Sequence, residues 1–164
     1  MTTPVPSRRG DPAPPPEYRD FEVLAQDLLA LRVSCLNQAS SPEKLIERLD
    51  AVAARLPMAE LEIAGARAER AEAMIHLGLL VKCYPVGVQD AKVFGRLLID
   101  DVMALEPQSA AVAIACRRCR LKHNFMPSIA EVVTELRGTI SLVTSALEFA
   151  GRIRAERDRL AADR

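Results

Sequence analysis

The strongest constraint on this chain is a stripe of apolar residues in its last third. Ile129, Val132, Leu136, Ile140, Val143, Leu147 and Ala150 follow one another at steps of three or four, which keeps them on one face of a helix. The stripe does not change face at Gly138. One helix from 128 to about 160 is therefore expected, ~50 Å long at ~1.5 Å per residue, with the glycine a weak point of ~1 kcal/mol rather than a break. Its start is marked by Ser128-x-x-Glu131, a capping box in which each side chain satisfies a free backbone N–H of the other. Pro127 and Val132 stand where a hydrophobic staple would close the first turn, and Phe125 is placed to anchor the approaching loop. Arg152 to Arg164 are of mixed charge and should project into solvent.

A helix of that length needs other helices to cover it, and the composition supplies them. Aromatics make up 4% of the chain with no Trp, so Leu, Ala, Val and Ile must pack the core, which favours helices over strands. Phe21, Leu24, Leu28, Leu31 and Cys35 share a helical face. Ser40-Ser41-Pro42-Glu43 has the cap, first-turn proline and early carboxylate of a second helix start, with Leu45, Leu49, Val52 and Leu56 inward and Pro57 at its end. Between Met58 and Cys83 a stripe of Leu61, Ala64, Ala68, Ala71, Ile75 and Leu79 continues, with Glu69, Arg70 and Glu72 as a solvated face. Tyr84-Pro85-Val86-Gly87 breaks the pattern. Asp90 caps a helix through Val93, Phe94, Leu97, Leu98 and Val102, and Pro107 fits the first turn of another carrying Ala111, Ile114, Ala115, Arg118 and Leu121 to a C-terminus at His123-Asn124. Six of the eleven prolines fall within residues 1–16, a composition that fills neither helix nor core. The expected architecture is all-α: a disordered Pro-rich arm over 1–16, then one bundle of about six helices over 17–164, of which 151–164 form an exposed charged end.

Lys and Arg balance Asp and Glu at 22 each, so no whole-molecule field draws the chain to nucleic acid or an anionic membrane. No apolar run reaches the ~18 residues of a membrane span, and a cytoplasmic protein is expected. Cys35, Cys83, Cys116 and Cys119 then fit reduced thiols.

Few side chains group for chemistry. Cys116-x-x-Cys119 with His123 has the residue types of a zinc site, and on a continuous helix the three would share a face. Zinc pairs of this spacing usually come from a knuckle turn, whereas this one lies in an Ala-rich helical run, so small buried cysteines are the better reading and no metal is assigned. Arg117, Arg118, Arg120, Lys122 and His123 form the one dense basic run. It can grip phosphates or an acidic partner, or it can be an exposed edge whose cations complement a helix C-terminus. Only His76 and His123 are available for acid–base work, and His76 lies on an apolar helix face. Asp100 and Asp101 point to different faces. There is no phosphate-binding glycine loop. A non-enzymatic protein without a cofactor is expected.

The order of short motifs carries one resemblance. Leu80-Val81-Lys82-Cys83-Tyr84-Pro85, then Val93 to Val102, Leu105-Glu106-Pro107, Ala115 to Cys119 and Phe125-Met126-Pro127-Ser128-Ile129-Ala130-Glu131-Val132 resemble small helical phage and prophage proteins, nearest to the replicative-helicase loader/inhibitor family. The likeness spans about residues 77–150. It implies an adaptor that binds a replicative helicase and loads or restrains it, with no catalytic residues to carry over. In the best-known members the flexible helicase-binding part is C-terminal, whereas the Pro-rich arm here is N-terminal. Arg117, Arg118, Arg120, Lys122, Phe125, Met126 and Pro127 are the expected partner-binding residues, Ser128 and Glu131 the structural cap. The alternative is a DNA-associated structural or regulatory phage protein that places the basic edge 117–123 on phosphates, giving a weak nucleic-acid contact. Self-association through the long helix is a further expectation.

Overall fold

The computed structural model describes residues 18–37, 58–84 and 90–162, together with the single positions Glu47 and Ala51. Among these, six helices follow in order: α1 (Arg19–Asn37), α2 (Met58–Gly65), α3 (Arg70–Lys82), α4 (Ala91–Ala104), α5 (Ser109–Lys122) and α6 (Ile129–Ala162). The described residues contain no strand, and no helix among them is long and apolar enough to cross a membrane. The arm over 1–16, the helix expected between Ser40 and Pro57, the break at Pro85 to Gly87, and the side chains of Leu31 and Cys35 lie outside the described residues.

The fold is a helical bundle with α5 at its centre. This helix packs against α1, α2, α3 and α6, while α4 bridges α3 and α6. Every residue from Ser109 to Cys116 is buried. Alanines supply four of the positions from 110 to 115, and their short side chains let the surrounding helices come close.

The long helix forms as the periodicity predicts, 34 residues without interruption, or ~51 Å. Val132, Leu136, Val143, Ala146 and Ala150 are buried along it. Gly138 sits in mid-helix, and a Cβ built there would meet nothing within 4 Å. One position breaks the apolar pattern: Thr139 is fully buried at the α5–α6 seam. Its hydroxyl lies 3.0 Å from the Ala111 carbonyl of α5 and 2.9 Å from the Leu136 carbonyl of its own helix, so it has an acceptor within the core. The charged end is not wholly solvated either, because Ile153 is buried.

Two expectations fail together, for one reason. The stripe from Met58 to Leu79 is not continuous. Instead, α2 stops at Gly65, and residues 66–68 run extended beside 107–109. The Ala68 N–H donates to the Pro107 carbonyl at 2.8 Å and the Ser109 N–H to the Ala66 carbonyl at 2.9 Å, framing an antiparallel bridge between Arg67 and Gln108. Pro107 is drawn into that pairing and precedes α5 instead of occupying its first turn; Gln108 is the N-cap. After the break, α3 turns Ala73, His76, Leu77 and Leu80 inward. Ala71, Ile75 and Leu79, expected in the core, face solvent. Nor is Glu72 merely solvated: it accepts the Ser109 hydroxyl at 2.7 Å. That places a carboxylate from α3 against the first turn of α5, which has no acidic residue of its own there.

Gly138→Ala should stabilise the protein by about 1 kcal/mol, since the new methyl meets nothing and the helix backbone loses less entropy on folding. Urea or thermal unfolding followed by circular dichroism reads this directly. A destabilised variant would mean that the glycine is needed for a kink or a close approach.

Candidate functional site

The basic edge and the helix start after it meet at the corner between α5 and α6. The geometry separates the candidate residues into three groups.

The first group, Arg117, Arg118 and Lys122, is occupied within the fold. Both arginines donate to the Glu22 carboxylate of α1, Arg118 through Nε at 2.8 Å. Arg118 also reaches Glu135 of α6 at 3.4 Å, and Lys122 pairs with the same carboxylate. Glu22 is buried, with Glu135 and the two arginines largely covered. Three helices are thus clipped by charge-assisted bonds of the strong class. The run is therefore not the bare exposed edge that its sequence allows. For Arg120, no carboxylate of the described residues lies within ion-pair distance.

Burial pushes the Glu22 carboxyl upward, but the hydrogen bonds and charges of Arg117 and Arg118 outweigh it, and the group titrates below its ordinary range. A depressed folded pKa means that this stabilisation is present above the carboxylate's unfolded pKa and is lost as pH falls through the folded value.

The second group holds the corner in shape. The Ser128 N–H donates to Glu131 at 2.7 Å and the Glu131 N–H donates back to the Ser128 hydroxyl at 3.3 Å, completing the capping box. Those bonds hold the Glu131 carboxyl below its usual range. Pro127 and Val132 are buried, as a staple requires, and Met126 packs against the core. On the other side, the Tyr84 hydroxyl reaches the carbonyls of Cys119 and His123 at 3.2 and 3.3 Å. The Cys119 carbonyl also accepts the His123 N–H at 3.0 Å, and through these bonds Tyr84 tethers the end of α3 to the end of α5.

The third group is exposed. Phe125 is 78% exposed and Leu121 74%. Phe125 does not anchor the loop, because Met126 and Pro127 already occupy the inward positions at the corner; Leu121, near the end of α5, faces outward as well.

The zinc candidates do not converge. α5 ends at Lys122, and His123 turns to extended backbone, which removes it from the face shared by Cys116 and Cys119. Its Nδ1 lies 3.9 Å from Glu131 instead. Among the described residues no three His, Cys, Asp or Glu side chains come together as a metal site. Cys116 and Cys119 are buried, and burial first of all pushes their thiols up to about 12 and about 11. Such thiols stay protonated near neutrality and are poor nucleophiles.

Three functional side chains escaped the sequence reading: Glu22, Glu135 and Tyr84. Glu22 had a usable signal. It stands three residues before the buried Ala25, on the flank of the apolar stripe of α1, where a carboxylate needs a cation opposite. Comparison with known protein families, with characterised proteins and with solved structures finds no match to this chain.

Two outcomes follow from this geometry. Glu22→Gln should cost about 2–3 kcal/mol, because it leaves the largely covered Arg117 guanidinium without its counter-charge and Arg118 with only its longer contact to Glu135. It should also flatten the loss of stability below about pH 4, which denaturation midpoints across pH would reveal. In a Cys35→Ser background, Cys83 alone should react with a thiol reagent at pH 8 until the chain is unfolded, when Cys116 and Cys119 become available; rapid labelling of all three in the native protein would contradict the buried placement.

Proposed function

We propose that this chain is a non-enzymatic adaptor that docks a protein partner on the α5–α6 corner, and that the partner is a replicative helicase of the kind served by phage loader or inhibitor proteins. The observation that carries the docking surface is the exposure of Phe125 and Leu121 on a corner fixed from both sides. A large aromatic held outward by a rigid frame loses little conformational freedom on binding, which is the usual character of an interface anchor. The order of the Tyr84-Pro85, Leu105-Glu106-Pro107 and Phe125 to Glu131 motifs supports the helicase as the partner.

The ion pairs of Arg117, Arg118 and Lys122 weigh against the nucleic-acid alternative. A phosphate would have to replace Glu22 or Glu135, leaving a covered carboxylate without its cation.

The test is capture of the host replicative helicase by the full chain, together with helicase ATPase and unwinding rates. Phe125→Ala and Leu121→Ala should each weaken capture about tenfold or more at an unchanged melting temperature, since both side chains are exposed. Capture and ATPase rates indifferent to both substitutions would overturn the corner as the docking surface. A DNA mobility shift that weakens steeply with salt and with Arg120→Ala would instead favour the nucleic-acid reading.

A further inference from the structure

A second surface lies on α3 and α4. The two helices leave an open groove of about 540 Å³ between them. Its apolar walls include Met74 and Val81 of α3 and Ile99 of α4, and it is widened by one glycine on each helix, Gly78 and Gly95. A Cβ at either glycine would meet nothing within 4 Å. The apolar surface continues round α3 beyond the groove. Ala71, Met74, Ile75, Gly78 and Leu79 have the i, i+3, i+4 spacing of a buried helix face, yet Met74, Ile75 and Leu79 are 56, 42 and 44% exposed. A helix apolar on two faces ordinarily has both covered.

The charge around the groove indicates what covers it. Arg70, Lys82, Lys92 and Arg96 line it, and no carboxylate does so among the described residues. Arg70 is partnered by Asp100 at 2.6 Å; no ion pair is formed by the other three with a described residue. In a chain of zero net charge this is a local cationic rim around an apolar floor.

We infer that this groove and the adjoining stripe bind an acidic amphipathic helix of a partner protein. The inference rests on the adaptor reading only in taking the chain to be a binding protein. An incoming helix is convex and fits between α3 and α4, with its apolar side chains over Gly78 and Gly95 and its flanking carboxylates on Lys82, Lys92 and Arg96. The alternatives fit less well. Self-docking of two copies across a two-fold axis sets this patch against itself, cation against cation. A bilayer surface needs a convex apolar face to enter it, and a single acyl chain in the groove leaves Ile75 and Leu79 wet.

The experiment uses the full chain and a fluorescein-labelled synthetic helical peptide with Leu at i, i+3, i+4 and i+7 and Glu on both flanks. A twin carries Lys in place of Glu. Anisotropy should show the Glu peptide binding at least about tenfold more tightly than its twin, with salt weakening the difference. Gly95→Leu, whose Cβ meets nothing within 4 Å and whose branch narrows the groove, should weaken binding about tenfold while leaving the melting temperature unchanged or higher. The Lys92→Glu and Arg96→Glu pair should invert the preference toward the Lys peptide, and it keeps the test intact if Gly95→Leu folds poorly. Phe125→Ala should leave peptide binding unchanged, so loss of this groove and loss of the corner are read separately. Equal binding of the two peptides, or binding indifferent to both groove changes, would sink the inference. So would preferential binding of phosphatidylglycerol vesicles, or a dimer in sedimentation that Gly95→Leu dissolves.

Discussion

The structure depends on a helix that has no outside for most of its length. From Ser109 to Cys116 α5 is enclosed, and a helix can be enclosed on every side only if its side chains are short enough for several neighbours to approach at the near end of the ~8–10 Å spacing of packed helices. The alanine side chains that allow this closeness form no hydrogen bonds. Polar contacts are therefore displaced to the two ends of α5: at the start, the bridge to residues 66–68, the Glu72 carboxylate and the bond from Gln108 to Thr144; at the finish, the Tyr84 hydroxyl and the ion pairs to Glu22 and Glu135. The middle contributes closeness, and the ends contribute direction.

That division explains which parts of the molecule the sequence disclosed. α6 was legible because its periodicity and its capping box are local, each fixed within a few residues. The Asp90 cap was legible for the same reason, its side chain accepting from the Val93 N–H at 3.1 Å. The break at Gly65 was not, because it arises from backbone pairing with residues some forty positions downstream, and Gly65 is the one local hint of it in an otherwise Ala-rich run between Leu61 and Leu79. Once the break resets the helix, a stripe counted straight through it lands on the wrong face, which is how Ile75 and Leu79 came to be placed in the core. Phe125 illustrates the opposite error: a large apolar residue beside a helix start is ordinarily an anchor, but here Met126 and Pro127 occupy the inward positions first.

Cations show how far composition falls short of electrostatics. Arg117 and Lys92 are alike in sequence terms, each a cation on a helix whose first turn contains no acidic residue. In the fold they part: Arg117 is matched by a carboxylate 95 residues earlier in the chain, whereas Lys92 lines a groove whose described walls contain no carboxylate. Carboxylates of α1 and α6 pair with cations of α5, whereas the groove between α3 and α4 is lined by cations alone among its described charged residues. A neutral chain thereby acquires polarity without any charge-rich segment.

The clasp between Glu22 and the two arginines also orders events in time. α1 leaves the ribosome before the other described helices, with Phe21, Ala25 and Leu28 ready for burial, but its main packing partner is the late helix α6, with smaller contacts to α2 and α5. Closing a loop of that length is slow relative to the helix–helix contacts formed between sequence neighbours. α3, α4 and α5 can associate as they emerge, while α1 remains open until α6 is nearly complete. A nascent or truncated chain lacking α6 therefore displays the part of the apolar face of α1 that α6 covers, and leaves Lys122 without Glu135, the kind of exposed apolar surface by which chaperones recognise unfinished products.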